Sequence, residues 1–170
     1  DEYSRRHTLE PVGWFGVEMS QIEKPTIAAI NGPAVGGGFA LAMACDLRII
    51  ADDAVIGMAS THRYALPPEG GLTYTLPRIV GLTKACELLF TGDLIKGPEA
   101  ERIGLVTRCV PRDQVMTATR ALAEKIAGNG PIGMELTKQL LYRGLHETNI
   151  ATQVEREDAA LARGFKTEDY

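Results

Sequence analysis

The first two thirds of the chain is a series of short apolar runs broken by glycine and proline, and the last third carries apolar residues at helical spacing. Residues 1–20 have weak periodicity and several turn formers, which reads as a loop leading into a short helix near Val17–Ile22. "KPTIAAI", residues 24–30, is an apolar run with proline near its start and Asn31-Gly32-Pro33 after it. That pattern predicts a buried strand ending in a turn. Gly37 to Ala44 reads as a helix. "DLRIIA" and "AVIGM" read as two further short strands, with Ala51-Asp52-Asp53 as a tight connection.

The thirteen residues "ASTHRYALPPEGG" hold two prolines and two glycines and read as a loop. Beyond them, Leu72, Leu76, Ile79 and Val80 fall on one face of a helix that Gly81 ends, with Pro77 predicting a kink or break. A second short helix is expected over Lys84–Phe90, a turn at "TGD", and a capped helix in "GPEAERIG", with Pro98 and Glu99 in its first turn and Gly104 past its end. "LVTRCV" reads as a strand. The remainder reads as three helices, about Asp113–Ala127, Ile132–Tyr142 and Glu147–Phe165. Ile132, Leu136 and Leu140 form one stripe, and Ala151, Val154, Leu161 and Phe165 another. Strands first, helices last and short connections throughout predict an α/β fold with a helical C-terminal part. The sheet looks too small for the chain, so N-terminal strands are expected to be missing from it.

Composition narrows the function classes. The 170 residues fit one domain with a substantial core. Net charge is −4 and no dense Lys/Arg cluster occurs, which argues against nucleic acid. No apolar run approaches the ~20 residues of a membrane span, and the first residues lack the basic and apolar regions of a signal peptide. Cys45, Cys86 and Cys109 have no CxxC spacing, and read as reduced, mostly buried thiols of a cytosolic protein with no metal site.

Two stretches carry candidate chemistry. In "NGPAVGGGFALAMACD" three glycines stand directly against the helix, where each costs about 0.5–1 kcal/mol relative to alanine inside it. The spacing matches neither a dinucleotide fingerprint nor a phosphate loop, and no GxSxG elbow is present. Two readings stay open: a tight packing turn, or bare N–H groups at a helix N-terminus that hold an oxyanion. Glu69 in "ALPPEGG" is either an acid placed favourably at a helix start or a general base whose carboxyl is raised by apolar surroundings. His7, His62 and His146 have no metal spacing; His62 shares the long loop with Arg63 and Tyr64 and reads as a solvated loop residue. Asp46 reads as a structural hydrogen-bonding residue, and Glu155-Arg156-Glu157-Asp158 as a solvated helix face.

The ordered set "KPTIAAINGPAVGGGFALAMACDLRIIADDAVIGM" followed by "LPPEGGLTYTLPRIVGLTKACELLFTGDLIKGPEAERIGLV" resembles the enoyl-CoA hydratase/isomerase (crotonase) superfamily. The likeness covers nearly all of residues 22–127 and continues more loosely to the end. It implies a spiral of ββα units over residues 1–127, a helical trimerisation region over 128–170, assembly as a trimer or hexamer, and a cytoplasmic enzyme. The substrate it implies is an acyl-CoA thioester, with coenzyme A part of the substrate and no separate cofactor. The family's shared chemistry is a thioester enolate held by two backbone N–H groups. By position Gly37 donates one of them, and the other falls upstream of anything in this chain. The acyl-CoA pocket is expected to include Ala34, Gly36, Gly38, Ala40, Ser60, Leu66, Pro67 and Gly70. Family hydratases hold a water between two glutamates; the corresponding places here are Ala40 and Ser60. Glu69 matches the glutamate of the PEG-type isomerases, so the resemblance favours double-bond isomerisation, with hydration, another crotonase reaction or a non-catalytic acyl-CoA binder as alternatives.

Overall fold

A computed structural model describes residues 13–59 and 66–166. Helix α1 (Phe15–Gln21) leads into strand β1 (Ile27–Ile30), the turn at 31–33, strand β2 (Ala34–Val35) and helix α2 (Gly37–Ala44). Strands β3 (Leu47–Ala51) and β4 (Val55–Gly57) follow. Helices α3 (Leu72–Val80) and α4 (Leu82–Thr91), strand β5 (Ile95–Lys96), helix α5 (Gly97–Arg102) and strand β6 (Arg108–Val110) come next. A 3₁₀ turn (Arg112–Gln114) opens the helical part: α6 (Val115–Ala127), α7 (Pro131–Gly144) and α8 (Ile150–Gly164).

The strands form two three-stranded sheets rather than one. The first runs β1–β3–β6, all parallel, with Ile27 opposite Leu47 and Ile50 opposite Cys109. The second runs β2–β4–β5, with β2 parallel and β5 antiparallel to β4. Strands β1 to β4 therefore alternate between the sheets, while β5 joins β4 in the second and β6 returns to the first. The strands read as "DLRIIA" and "AVIGM" do not pair with each other: β3 sits between β1 and β6, and β4 between β2 and β5. This two-strand step, repeated with a helix between, is the ββα spiral. Strands β2 and β5 were not visible as apolar runs, because at two residues each they are shorter than any periodicity. Strand β6 is likewise shorter than "LVTRCV": Leu105 and Val106 are buried beside α5, with both N–H groups bonded to the Ala100 carbonyl.

Helix α3 runs through Pro77 and stops at Gly81, whose φ of +79° ends it. The break expected at Pro77 does not occur, and the helix ends at Gly81, four residues on, as expected. Helix α8 starts at Ile150, later than expected, because the Asn149 side chain accepts the Ala151 N–H at 2.9 Å and caps it.

Two compact units emerge: one holds residues 26–120 with α1, the other 121–166 with residues 22–25. The core of the first is built from Phe39, Ile49, Ile50, Ile56, Met58, Leu72, Leu76, Leu105 and Val115, all fully buried. In the second, Lys138 is buried and donates to the Lys24 carbonyl at 3.0 Å, while Arg156 pairs with Glu147 at 2.9 Å. Arg156 is therefore tied down rather than free on a solvated face. The three cysteines are free thiols, half-buried rather than buried. Burial pushes the Cys109 thiol up, and the Glu101 and Asp52 carboxylates add to the effect. No helix among the described residues is long and apolar enough to cross a membrane.

Asp46 holds the entry of β1 against the exit of α2. Its carboxylate accepts the Thr26 N–H at 2.6 Å and the Thr26 hydroxyl at 2.8 Å, and its own N–H donates back to that hydroxyl at 3.0 Å. Asp46→Ala leaves the part-buried Thr26 N–H without its acceptor. The expected loss is about 1–3 kcal/mol of unfolding free energy, read from urea titration.

Candidate active site

The glycine triplet lies where β2 turns into α2. Gly36 takes φ +62° and ψ −122°, a conformation that an L side chain rarely adopts, and its N–H donates to the Gly57 carbonyl of β4 at 3.1 Å. That bond fixes the start of the helix to the second sheet. Gly37 and Gly38 are the first two helical residues, so their N–H groups have no intrahelical acceptor. Among the described residues nothing else accepts them. The helix dipole adds positive potential at the same point.

Why the middle glycine is there follows from what surrounds it. A Cβ on Gly37 would meet only the Glu69 Oε1 at 4.0 Å, and one on Gly38 would meet nothing within 4 Å. Among the described residues, the space that a side chain would fill at Gly38 is open, and at Gly37 it borders only Glu69. Gly36 serves the turn, and the position of a Cβ on Gly37 lies 4.0 Å from the Glu69 carboxylate.

Glu69 stands on the loop before α3, and its carbonyl accepts the Leu72 N–H at 3.2 Å. Its side chain is exposed rather than buried among apolar groups. The residues after it are tightly held. Gly70 has φ +64°, and a Cβ there would fall 2.1 Å from Cζ of Phe15. A Cβ on Gly16 would fall 2.2 Å from the Gly70 carbonyl oxygen. Helix α1 and the "EGG" turn thus interlock through two glycines and one phenyl ring, which sets where Glu69 emerges. Nothing in the weakly periodic N-terminal stretch signals this role for Phe15.

A cleft of about 340 Å³ lies beside the triplet, between the β1–β2 turn and one face of α2. Ala34 and Gly38 line it, as do Asn31, Leu41 and Cys45. Gly36, Ala40, Leu66, Pro67 and Gly70 are not part of its lining. Ala40 is fully buried in the core, Leu66 and Pro67 are exposed, and Gly70 is buried under Phe15. Ser60 falls outside the described residues, as do His7, His62, Arg63 and Tyr64. His146 is exposed on the loop after α7. Arg112 was not foreseen as part of the site's frame. Its Nε donates to both Asp53 carboxylate oxygens, at 3.0 and 2.9 Å, and its Nη1 to the Asn31 carbonyl at 2.5 Å. It pins the turn at the cleft's mouth across 59 and 81 residues of chain, a distance no local pattern can reveal. No three His, Cys, Asp or Glu side chains gather into a metal site among the described residues.

Stacked ββα repeats, with a glycine-led helix beside a loop that carries one carboxylate, define an α/β spiral. The chain belongs to the enoyl-CoA hydratase/isomerase family, whose sequence model matches residues 13–170. It is 41% identical over 151 residues to the short-chain-enoyl-CoA hydratase of Clostridium acetobutylicum, covering 89% of this chain and 57% of that one. The enoyl-CoA hydratase structure from Bacillus anthracis superimposes with a TM-score of 0.92 at 37% identity, covering 99% of this chain and 64% of that one. A monofunctional enoyl-CoA isomerase from Mycobacterium smegmatis superimposes at 0.74 with 38% identity, covering 82% and 65%. The chain spans about half the length of the curated relatives it matches, 49–57% for several of them.

Gly70→Ala tests the interlock. The side chain would be strained at this φ and would overlap the Phe15 ring, so the expected cost is about 1–3 kcal/mol of stability by urea titration. Gly71→Ala, where a Cβ meets nothing within 4 Å but φ is also positive at +79°, separates backbone strain from the clash with Phe15. The Gly70 variant is expected to lose more.

Proposed function

We propose that the protein acts on acyl-CoA thioesters, and that its reaction is double-bond isomerisation through a thioester enolate. One observation carries this reading: the open N–H of Gly37 stands opposite the Glu69 carboxylate, with 4.0 Å between Oε1 and the place a Cβ would occupy. A thioester oxygen bound about 2.7–3.1 Å from the Gly37 N–H would present its α carbon on the side of Glu69. The Glu69 carboxylate takes the α proton of a 3-enoyl thioester. The electron pair moves onto the thioester oxygen, where the N–H and the helix dipole hold it. The carboxylic acid then returns that proton to the γ carbon, leaving the 2-enoyl product and restoring the base. One carboxylate suffices, and the scheme draws only on the chain and the substrate.

Hydration is the second reading, and what favours it is that hydratase names predominate among the relatives. Against it stands Ala40, buried where the resemblance puts one of the two water-holding glutamates. The exposed position of Glu69 leaves its carboxylate open to a substrate. Assembly as a trimer or hexamer is part of the proposal. It is supported by Leu141, Leu145, Ile150, Leu161 and Phe165, which expose apolar side chains on the two C-terminal helices and the loop between them.

Glu69→Gln keeps the size of the side chain and removes the base. Conversion of a 3-enoyl to a 2-enoyl thioester should fall by about 10²–10⁴-fold, followed in the ultraviolet as the conjugated product forms. Gly37→Pro removes the donor and should cost about 10²–10³ in turnover if the variant folds. Fast hydration of a 2-enoyl thioester that survives Glu69→Gln would overturn the isomerase reading. Light scattering at micromolar concentration should give a mass three or six times that of the chain; a monomer would contradict the assembly.

A further inference from the structure

Helix α2 carries the proposed donor, yet it is a poor helix on its own. It has two turns, two glycines at its start and no side-chain cap at its N-terminus. Isolated helices this short do not persist in water. Its N-terminal N–H groups must also stay open for the substrate, so the helix has to be held from its other end. One buried side chain does this. Arg48, 7% exposed, donates from Nη1 to the carbonyl of Cys45, the residue that caps α2, at 2.6 Å and to the Ala42 carbonyl in its last turn at 3.4 Å. Its Nη2 lies 3.4 Å from the Asp46 carbonyl, and its Nε donates to the Leu105 carbonyl at 2.8 Å. The Arg48 backbone pairs with Thr107, its N–H donating to the hydroxyl at 3.2 Å and its carbonyl accepting the Thr107 N–H at 2.8 Å.

We infer that Arg48 is a positioning residue for the oxyanion site, setting the depth at which the Gly37 N–H meets the substrate; this rests on the reading of Gly37 as the donor. The guanidinium is a planar fork, so its separate N–H groups reach carbonyls on two elements at once. It ties the exit of α2 to the Leu105–Thr107 segment, which leads into β6, while the Gly36 N–H ties the entry of α2 to β4. A two-turn helix fixed at both ends has little freedom to slide along its axis. A slide of a fraction of an ångström is what a donor aimed at a developing charge cannot tolerate. The neighbouring Thr26–Asp46 contact holds the same corner but grips the turn after the helix, not the helix carbonyls.

The test is Arg48→Lys, whose ammonium cannot reach both the α2 carbonyls and Leu105. It should lower kcat for the thioester reaction about 10- to 100-fold with KM changed less than the rate, as expected of a misplaced catalytic group. The infrared carbonyl stretch of a bound saturated acyl-CoA should move back toward its value in free solution. Val115→Ala, a core truncation in α6, serves as a control brought to the same melting temperature, and should move neither readout. Thr26→Val, which loosens the second contact at that corner, should shift the carbonyl stretch in the same direction by less, and stands in if Arg48→Lys does not fold. A folded Arg48→Lys with wild-type kcat and stretch, or a Val115→Ala that shifts both equally, overturns the positioning role. A wild-type complex whose thioester stretch equals that of free thioester overturns the donor reading itself.

Discussion

The hydrogen bond from the Gly36 N–H to the Gly57 carbonyl joins the two halves of the site's frame. Strand β2 is only two residues long, and without this contact the helix after it would have no fixed origin. With it, the chain turns through a conformation that favours glycine and begins α2. Everything argued for the site follows from that origin. The donors lie at the first helical residues, the core side chains Phe39, Ala42 and Met43 anchor the opposite face, and the carboxylate of Glu69 reaches across from the next repeat.

The energetic logic is one of separated duties. Burial of apolar side chains supplies the driving force for the spiral. Position is left to a few polar contacts at corners. Thr26 and Asp46 hold the end of α2, Arg112 and Asp53 hold the turn before β2, and the Phe15 ring on Gly70 holds the Glu69 loop. Each corner joins residues far apart in sequence. At Gly36 and Gly70, where φ is positive, glycine is the residue that fits without strain.

Much of this was legible in the chain, and what was hidden was hidden for physical reasons. Helix α2 begins and ends where the apolar run and the glycine boundary place it, and the hydrogen-bonding role of Asp46 is the one its position after the helix implies. The ordered motifs led to the family that the comparisons show. The division of strands between two sheets was not legible, since β2 and β5 are too short to carry a period and the partners of β3 come from distant turns. Apolar surroundings were one of two readings of Glu69; its proline and glycine neighbours report a turn and not an environment, and the side chain is exposed. The Phe15 and Arg112 contacts depend on tertiary geometry alone. The likeness to a hydratase structure and to an isomerase structure alike shows that the backbone frame is shared across the family.

The central claim is that Glu69 takes a proton from the carbon next to a thioester whose oxygen is held at Gly37. Exchange of the α protons of a saturated acyl-CoA in deuterated water, followed by nuclear magnetic resonance, isolates that step from the rest of any reaction. The account predicts steady loss of the α-proton signal with the wild-type protein and near-complete suppression in Glu69→Gln. Exchange that continues unchanged in Glu69→Gln, or none with wild type, would contradict it.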